Sequence, residues 1–258
     1  MNILGIDIGG SGIKGAPVNT RTGALCTERL RLSTPMPATP EAVAVTVRQL
    51  VAHFDWQGPI GCGFPAAIRH GVALTAANIS KQWIGCNVRD ILQQATGCAV
   101  TMINDADAAG LAEMRFGAGK ERTGTVLLCT LGTGIGTALF SNGQLLPNTE
   151  FGHIEIQGKV AEQWASALVR KAKALGWKEW ASRLNIYLAH MQAYIWPDLI
   201  IVGGGVSKKH DKFLPLLQLS TDIVPAQMRN KAGIIGAALA ARYAQDQSKD
   251  SKKRAPQA

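Results

Sequence analysis

The first feature able to do chemistry is an acid followed by a glycine-rich run. Asp7 ends an apolar stretch, and the run after it contains Gly9, Gly10, Ser11, Gly12 and Lys14. Glycines let backbone N–H groups approach phosphate oxygens, a lysine adds a point charge, and an acid can hold a hydrated Mg²⁺ near the phosphates. The alternative is a plain tight hairpin. A dinucleotide site is not indicated, because its fingerprint needs a helix directly after the glycines, and residues 15–18 favour a strand and a turn.

A second acid-rich motif follows a predicted strand at residues 99–103. It contains Asn104, Asp105 and Asp107 and opens a predicted helix. In open α/β sheets ligands bind at the carboxyl ends of strands, and a carboxylate there can accept a proton from an attacking hydroxyl during phosphoryl transfer. The alternative is that one acid merely caps the helix, although the motif supplies more polar groups than a cap uses.

Two later glycine turns also follow apolar stretches. One turn supplies N–H and O–H donors that suit phosphate oxygens, from Thr130, Gly132, Thr133 and Gly134. The other suits a nucleotide or the distal part of a phosphate chain, and it comprises Gly203, Gly204 and Gly205, followed by Lys208 and Lys209. A bare turn is the alternative in each case.

The segment at residues 150–155 carries acceptor groups that suit sugar hydroxyls. If it is extended, one face holds Phe151, His153 and Glu155, and the other holds Glu150, Gly152 and Ile154. A lone histidine is more often structural than catalytic, so this segment in isolation favours the structural interpretation.

The composition predicts a globular cytoplasmic protein. No stretch reaches the ~18 apolar residues of a membrane span, and residues 1–7 lack the basic start of a signal peptide. Five scattered cysteines do not have the spacing of a zinc site. The net charge is +9, of which residues 246–258 contribute four basic and two acidic side chains. The basic remainder indicates either an anionic partner or a solvated surface, and no nucleic-acid-binding motif accompanies it.

The pattern of apolar residues predicts alternating strands and helices. We expect helices at residues 41–54, 88–96, 106–116, 158–175, 177–195 and 232–243, with short strands between them. Residues 10–16 are echoed by residues 132–138, and each run follows a predicted strand and leads into another. This echo suggests two related α/β domains.

Taken together, in this order and spacing, the motifs resemble the ROK family of sugar kinases and repressors, within the actin-like ATPase superfamily. The likeness covers residues 1–244, and residues 78–83 resemble the family's sugar-side loop. It implies a two-domain ribonuclease-H-like fold with the sugar site in the interdomain cleft. The small domain would comprise residues 1–103 and 232–245, the large domain residues 104–231, and residues 246–258 would be a disordered basic tail.

The resemblance also implies roles for individual residues. Asp105 would be the general base on the 6-hydroxyl of glucose, the first two glycine turns would hold phosphates, and Asp7 would hold Mg²⁺ through water. The sugar would be held by Asn78, Asn104, Asp105, Glu150, His153 and Glu155.

A departure from the family pattern bears on the phosphoryl donor. Many ROK members carry a cysteine-rich zinc motif after a Gly-His pair, but Gly152 and His153 are followed by residues 154–159 without cysteine. We therefore expect no zinc. The missing motif, the short chain and the basic charge match the branch that uses inorganic polyphosphate, with ATP as an alternative donor. The resemblance further implies a homodimer, with no nucleic-acid or membrane partner.

Three other functions remain open. One is an ATP-dependent ROK glucokinase or glucomannokinase, which differs in its donor. Another is a ROK-type sugar-responsive repressor, which needs a DNA-binding extension before the first strand, whereas this strand is predicted to start at residue 3. The third is a non-enzymatic actin-like scaffold, which the sugar-side residues Asn78, Asp105, Glu150 and His153 argue against.

Overall fold

The computed structural model describes residues 1–77 and 79–254 and divides the chain into two compact units. One unit comprises Met1–Ala112 and the C-terminal helix from Gly233, and the other comprises Glu113–Ala232. The division falls inside a helix, whereas the sequence predicted it after residue 103. The first turns of that helix pack against the C-terminal helix, because Gly236 lies directly on the backbone of Ala108.

In the described part of the chain, the first unit is built on a five-stranded sheet in the order β3-β2-β1-β4-β7. Strand β2 is antiparallel to β1 and β3, whereas β4 is parallel to β1 and β7. The strands, including a small separate hairpin of β5 and β6, are β1 (Asn2–Gly9), β2 (Gly12–Asn19), β3 (Leu30–Leu32), β4 (Ile60–Phe64), β5 (Ile68–Arg69), β6 (Val72–Ala73) and β7 (Val100–Asn104). The helices are α1 (Pro40–His53), α2 (Val88–Thr96) and α3 (Asp105–Phe116).

The second unit has a five-stranded sheet among its described residues, in the order β10-β9-β8-β13-β14. Its strands and the hairpin β11-β12 are β8 (Thr125–Leu131), β9 (Ile135–Ser141), β10 (Gln144–Leu146), β11 (Glu155–Ile156), β12 (Lys159–Val160), β13 (Leu199–Gly203) and β14 (Asp222–Pro225). Its helices are α4 (Ala161–Ala165), α5 (Ala167–Ala172) and α6 (Trp177–Ile195). The chain then enters α7 (Ala232–Arg254), which belongs to the first unit from Gly233 onward.

The two sheets have the same topology. In each, three antiparallel strands are followed by two strands parallel to the first, since β13 is parallel to both β8 and β14. The echoed glycine runs occupy the same place, between the first and second strands of each sheet. The prediction of two related α/β units is therefore confirmed at the level of topology.

Glycines in the first sheet allow α7 to lie directly on it. A side chain at Gly5 would collide with the carbonyl oxygen of Ile234, and one at Gly61 with that of Ala237. Ile234 and Ala237 are themselves fully buried. This close contact explains why the C-terminal helix folds with the N-terminal unit.

Two predicted segments differ from the structure. The predicted helix at residues 158–175 is broken into the strand β12 and the helices α4 and α5. Ser166 is fully buried between these helices in an extended conformation, and its Oγ accepts a hydrogen bond from Val169 N at 3.3 Å. A serine that bonds the nearby backbone in this way starts a new helix and ends the preceding one.

The second difference concerns the C-terminus, where residues 246–254 are helical and not disordered. The buried apolar face of α7 nucleates the helix, and extending an existing helix is far easier than starting one. Arg242 Nε lies 2.7 Å from Asp246 Oδ2, an i,i+4 ion pair that supports the extension. Residues 255–258 of the predicted tail lie outside the described residues. Within the described part, no helix is long and apolar enough to cross a membrane.

Candidate active site

The first glycine turn is a tight hairpin with an ion pair at its base. Asp7 and Lys14 are direct partners in the β1-β2 register, and Lys14 Nζ lies 3.2 Å from Asp7 Oδ2. Gly233, near the start of α7, is the close neighbour on the other side, since a Cβ there would lie 2.8 Å from Asp7 Cγ. The Asp7 carboxylate is therefore held between a lysine and the first turn of a helix.

Arg31 adds a second cation to this hairpin, and sequence reasoning missed it. Its Nη2 donates to the carbonyl oxygen of Ser11 at 2.9 Å. A Cβ at Gly12 would lie 2.7 Å from Arg31 Nε, so the guanidinium covers that glycine. Arg31 is also the β3 partner of Lys14. Only the strand register brings the two basic side chains together, and no local motif signals it.

The Asn-Asp-x-Asp motif starts α3, and its asparagine forms the cap. Asn104 is buried, and its Oδ1 accepts from Ala106 N at 2.8 Å and from Asp107 N at 3.1 Å. Its Nδ2 donates to Ala66 O at 3.1 Å. The helix-cap alternative is thus fulfilled chiefly by Asn104, for which we predicted sugar binding. Asp107 is 1% exposed, whereas Asp105 is partly exposed, so Asp105 is the accessible acid of the pair.

The second and third glycine turns adjoin one another. Gly204 has φ +80° and lies directly on the backbone of Leu131, at the end of β8, so only glycine fits there. Beside this contact Gly132 N donates to Gly134 O at 3.0 Å, and a Cβ at Gly132 would meet no atom within 4 Å. The loop at residues 132–134 therefore has open space above its backbone. Thr133, Lys208 and Lys209 are all exposed near these turns.

The segment at residues 150–155 is not extended as predicted. Phe151–His153 is a 3₁₀ helix with Glu150 at its N-cap, and positions i and i+3 of such a helix lie on the same side. His153 Nδ1 consequently lies 3.6 Å from Glu150 Oε2. The extended segment with alternating faces does not form, because Gly152 packs directly on the carbonyl oxygen of Ile135. A bulkier residue at this position would prevent that contact. Glu155 is exposed in β11.

Glu162 is a further member of this cluster that the sequence did not indicate. Its Oε1 lies 3.6 Å from His153 Nε2, and its Oε2 accepts from Ile135 N at 3.3 Å. His153 thus stands between two carboxylates. Because residues 158–175 were predicted as one helix, nothing suggested that Glu162 returns to His153. We call Glu150, His153 and Glu162 the acid–histidine cluster.

Within this cluster, burial is the main influence on the pKa of Glu150. Burial raises the pKa of Glu150, the charge on Glu162 raises it further, and His153 lowers it. The residues on both sides of Glu150 are held by Thr137, whose Oγ accepts from Phe151 N at 3.2 Å and donates to the carbonyl of Thr149. The cluster therefore offers carboxylate oxygens in a partly desolvated place.

The remaining candidates are Asn78, the buried cysteines and a protein-held metal ion. Asn78 lies outside the described residues. Burial raises the pKa of the Cys62 thiol, with a contribution from the charge of Asp7, and burial raises that of Cys129 to about 12. These thiols are protonated at neutral pH and are not nucleophiles. Among the described residues, no three His, Cys, Asp or Glu side chains are arranged as a metal site.

Comparison with known proteins identifies the class to which this fold and these turns belong. The ROK family model matches residues 3–165, and the chain belongs to the ROK family. It is 52% identical over 238 residues to the polyphosphate glucokinase of Mycobacterium tuberculosis, covering 92% of this chain and 90% of that protein.

Solved structures give the same result. The crystal structure of the inorganic polyphosphate/ATP-glucomannokinase of Arthrobacter sp. strain KM matches with a TM-score of 0.91 and 48% identity, covering 94% of this chain and 99% of that one. A ROK family glucokinase from Streptomyces griseus, solved with glucose and AMPPNP, matches with a TM-score of 0.82 and 27% identity, covering 94% and 100%. The predicted actin-like α/β fold class is confirmed by these likenesses.

Proposed function

We propose that the protein transfers a phosphoryl group from inorganic polyphosphate, with ATP as an alternative donor, to the 6-hydroxyl of glucose. One observation carries the proposal: a chain with 52% identity to a polyphosphate glucokinase keeps two glycine turns suited to phosphate together with an acid–histidine cluster suited to sugar. A binding scaffold would not need both kinds of site.

Asp105 is the general base of the proposed reaction. Its carboxylate accepts the proton of the sugar 6-hydroxyl while that oxygen bonds to the terminal phosphorus of the donor. The bond between this phosphorus and the bridging oxygen breaks, and the electron pair leaves with a polyphosphate shortened by one unit. Asp105 is suited to this role because it is partly exposed and directly follows the carboxyl end of β7, where ligands bind in open α/β sheets.

The acid–histidine cluster is the proposed sugar site. Ionised carboxylates accept strong hydrogen bonds from hydroxyl groups, and Glu150 and Glu162 offer such oxygens on either side of His153. Partial burial strengthens these bonds by removing competing water. Asn78, Asn104 and Glu155 stay predictions as sugar ligands.

The glycine turns are the proposed phosphate sites. Residues 9–12 and 132–134 supply backbone donors, Lys14 supplies charge, and Thr130 and Thr133 supply hydroxyls. Asp7 fits a hydrated Mg²⁺, which prefers oxygen ligands and arrives with its phosphates. When bound, Mg²⁺ neutralises charge on the phosphoryl group being transferred. The proposal further includes a cytoplasmic homodimer, as the family resemblance implies. It includes no structural zinc, because residues 154–159 lack the cysteines of the family's zinc motif.

A donor-by-acceptor assay tests the proposal. The purified protein is supplied with polyphosphate or ATP and with glucose, mannose or other hexoses, and sugar 6-phosphate is measured. Polyphosphate with glucose should give product at the highest rate. Product from ATP alone would replace the proposal with an ordinary glucokinase, comparable rates with mannose would extend it to a glucomannokinase, and no product from any pair would refute it.

A further inference from the structure

Three strand ends of the second unit meet at one edge of its sheet. Strands β8, β13 and β14 are parallel neighbours, so their carboxyl ends lie side by side. Gly203 marks the middle, since a Cβ there would lie 3.5 Å from Thr130 Cγ2 and 3.7 Å from Ala226 Cβ. The loops that leave these strands therefore form a row in the order β8, β13, β14.

The last two loops of this row, after β13 and β14, are basic. The loop after β13 contains the 3₁₀ segment Gly205–Lys212, with exposed Lys208, Lys209, His210 and Lys212 and one exposed acid, Asp211. The loop after β14 contains the 3₁₀ segment Arg229–Lys231, in which Arg229 and Lys231 are exposed. The two segments pack against one another. Positive charge thus continues from the second strand end to the third.

The loop after β14 is held by hydrogen bonds to the buried side chain of Glu113. Glu113 is 1% exposed, and its carboxylate accepts hydrogen bonds from Gln227 N at 3.1 Å and Met228 N at 2.7 Å. The next residue, Arg229, has φ +51°, a left-handed conformation that is costly for an arginine. A buried carboxylate therefore fixes an exposed arginine in a strained backbone, and such strain is concentrated at ligand sites.

We propose that Arg229 and Lys231 bind phosphates of the polyphosphate donor distal to those held at Lys208 and Lys209. This inference rests on the proposed function. In this arrangement the reacting end of the donor lies at the turn of residues 132–134, which follows β8. Neighbouring strands are ~4.8 Å apart, so the loop after β14, two strands away, lies roughly 10 Å from that turn. A long polyanion can follow this row and release counterions along it, whereas a donor of only a few phosphates ends earlier. The second unit thus selects for long donors.

A matched pair of double variants tests the inference. Arg229→Gln with Lys231→Gln removes both charges from the β14 loop. Lys120→Gln with Arg122→Gln makes the same charge change in the same unit, at exposed positions before the start of β8 and hence away from the row. For each protein we would measure KM for long-chain polyphosphate and for glucose, the competitive inhibition constant of tripolyphosphate, and the salt dependence of KM.

The R229Q/K231Q protein should show a KM for long-chain polyphosphate raised by about 5- to 10-fold, with a shallower salt dependence. Its glucose KM and its inhibition by tripolyphosphate should change by less than about 2-fold, which also reports that the protein is folded. The control should match the wild type, and Arg229→Lys with Lys231→Arg should retain long-chain affinity. Equal losses for tripolyphosphate and long chains, or no loss at all, would overturn the distal site. A wild-type protein without turnover on any polyphosphate would instead overturn the proposed function.

Discussion

The two glycine hairpins stand in equivalent places of their sheets but carry different chemistry. Counting back from each turn, the third cross-strand pair is Asp7 with Lys14 in the first unit and Cys129 with Thr137 in the second. The first pair is an ion pair at 3.2 Å. The second is a buried thiol opposite a buried hydroxyl. One topology thus supports a charged site in one unit and a neutral one in the other.

From this difference we expect separate tasks for the two units. Charge near the first hairpin comes from Asp7, Lys14 and Arg31, which suits a metal and a reacting phosphate. In the second unit the hydroxyl of Thr137 instead organises the residues around Glu150, and basic residues follow the ends of β13 and β14. We expect variants of the first unit to lower turnover and variants of the second to weaken substrate binding.

The largest expected effect is at Asp105. Asp105→Asn should lower turnover by at least ~10²-fold, because an amide cannot accept the hydroxyl proton, while glucose binding measured by calorimetry and the melting temperature stay close to wild type. Asp55→Asn is a suitable control, since Asp55 is exposed with φ +45° and asparagine tolerates that conformation. Near-normal turnover in folded D105N would remove Asp105 from the mechanism.

The equivalent positions Asp7 and Thr137 give the most direct test of the comparison. Asp7→Asn should lower kcat by about 10-fold or more and raise the Mg²⁺ concentration needed for half-maximal turnover, with little change in glucose KM. Thr137→Val should instead raise glucose KM several-fold, because the residues on both sides of Glu150 lose their hydrogen bonds to this hydroxyl. Steady-state kinetics at varied Mg²⁺ and glucose would distinguish them. The same pattern in both variants would contradict the division of tasks.

The smallest expected effect is on stability at Glu150. Because the folded protein raises the pKa of this carboxyl, the folded state binds its proton more tightly than the unfolded chain does, and stability falls as pH rises through the raised pKa. Glu150→Gln should therefore increase the free energy of unfolding at pH 7 by less than about 1 kcal/mol, with a smaller gain at pH 4. Urea denaturation at both pH values measures this.

Glucose affinity should respond in the opposite direction. At pH 7, Glu150→Gln should weaken glucose binding, since a charged acceptor is lost. In the wild type, affinity should fall as pH drops through the raised pKa of Glu150. Glu28→Gln, at an exposed position before β3, should change neither property. A destabilised E150Q protein at pH 7 would show that Glu150 is a structural residue.

The sequence by itself determined the alternating α/β pattern, the repeated glycine hairpins and the family likeness. These features are local: apolar runs define strands and glycines define turns. Asp7 lies near the end of β1, and Asp105 directly follows β7. Helices such as α2 at Val88–Thr96 and α6 at Trp177–Ile195 were predicted with the same bounds, because their apolar spacing is a property of the segment itself.

Only the tertiary structure decided which distant residues join those motifs. Arg31 reaches the first hairpin through strand register, and Glu162 returns to His153 through the β11-β12 hairpin. Arg229 lies beside the lysine loop because Glu113 anchors its segment. The 3₁₀ turn at Phe151–His153 likewise depends on Gly152 packing against Ile135. Local helix and strand propensities do not predict such contacts, since each contact depends on where a separate element packs.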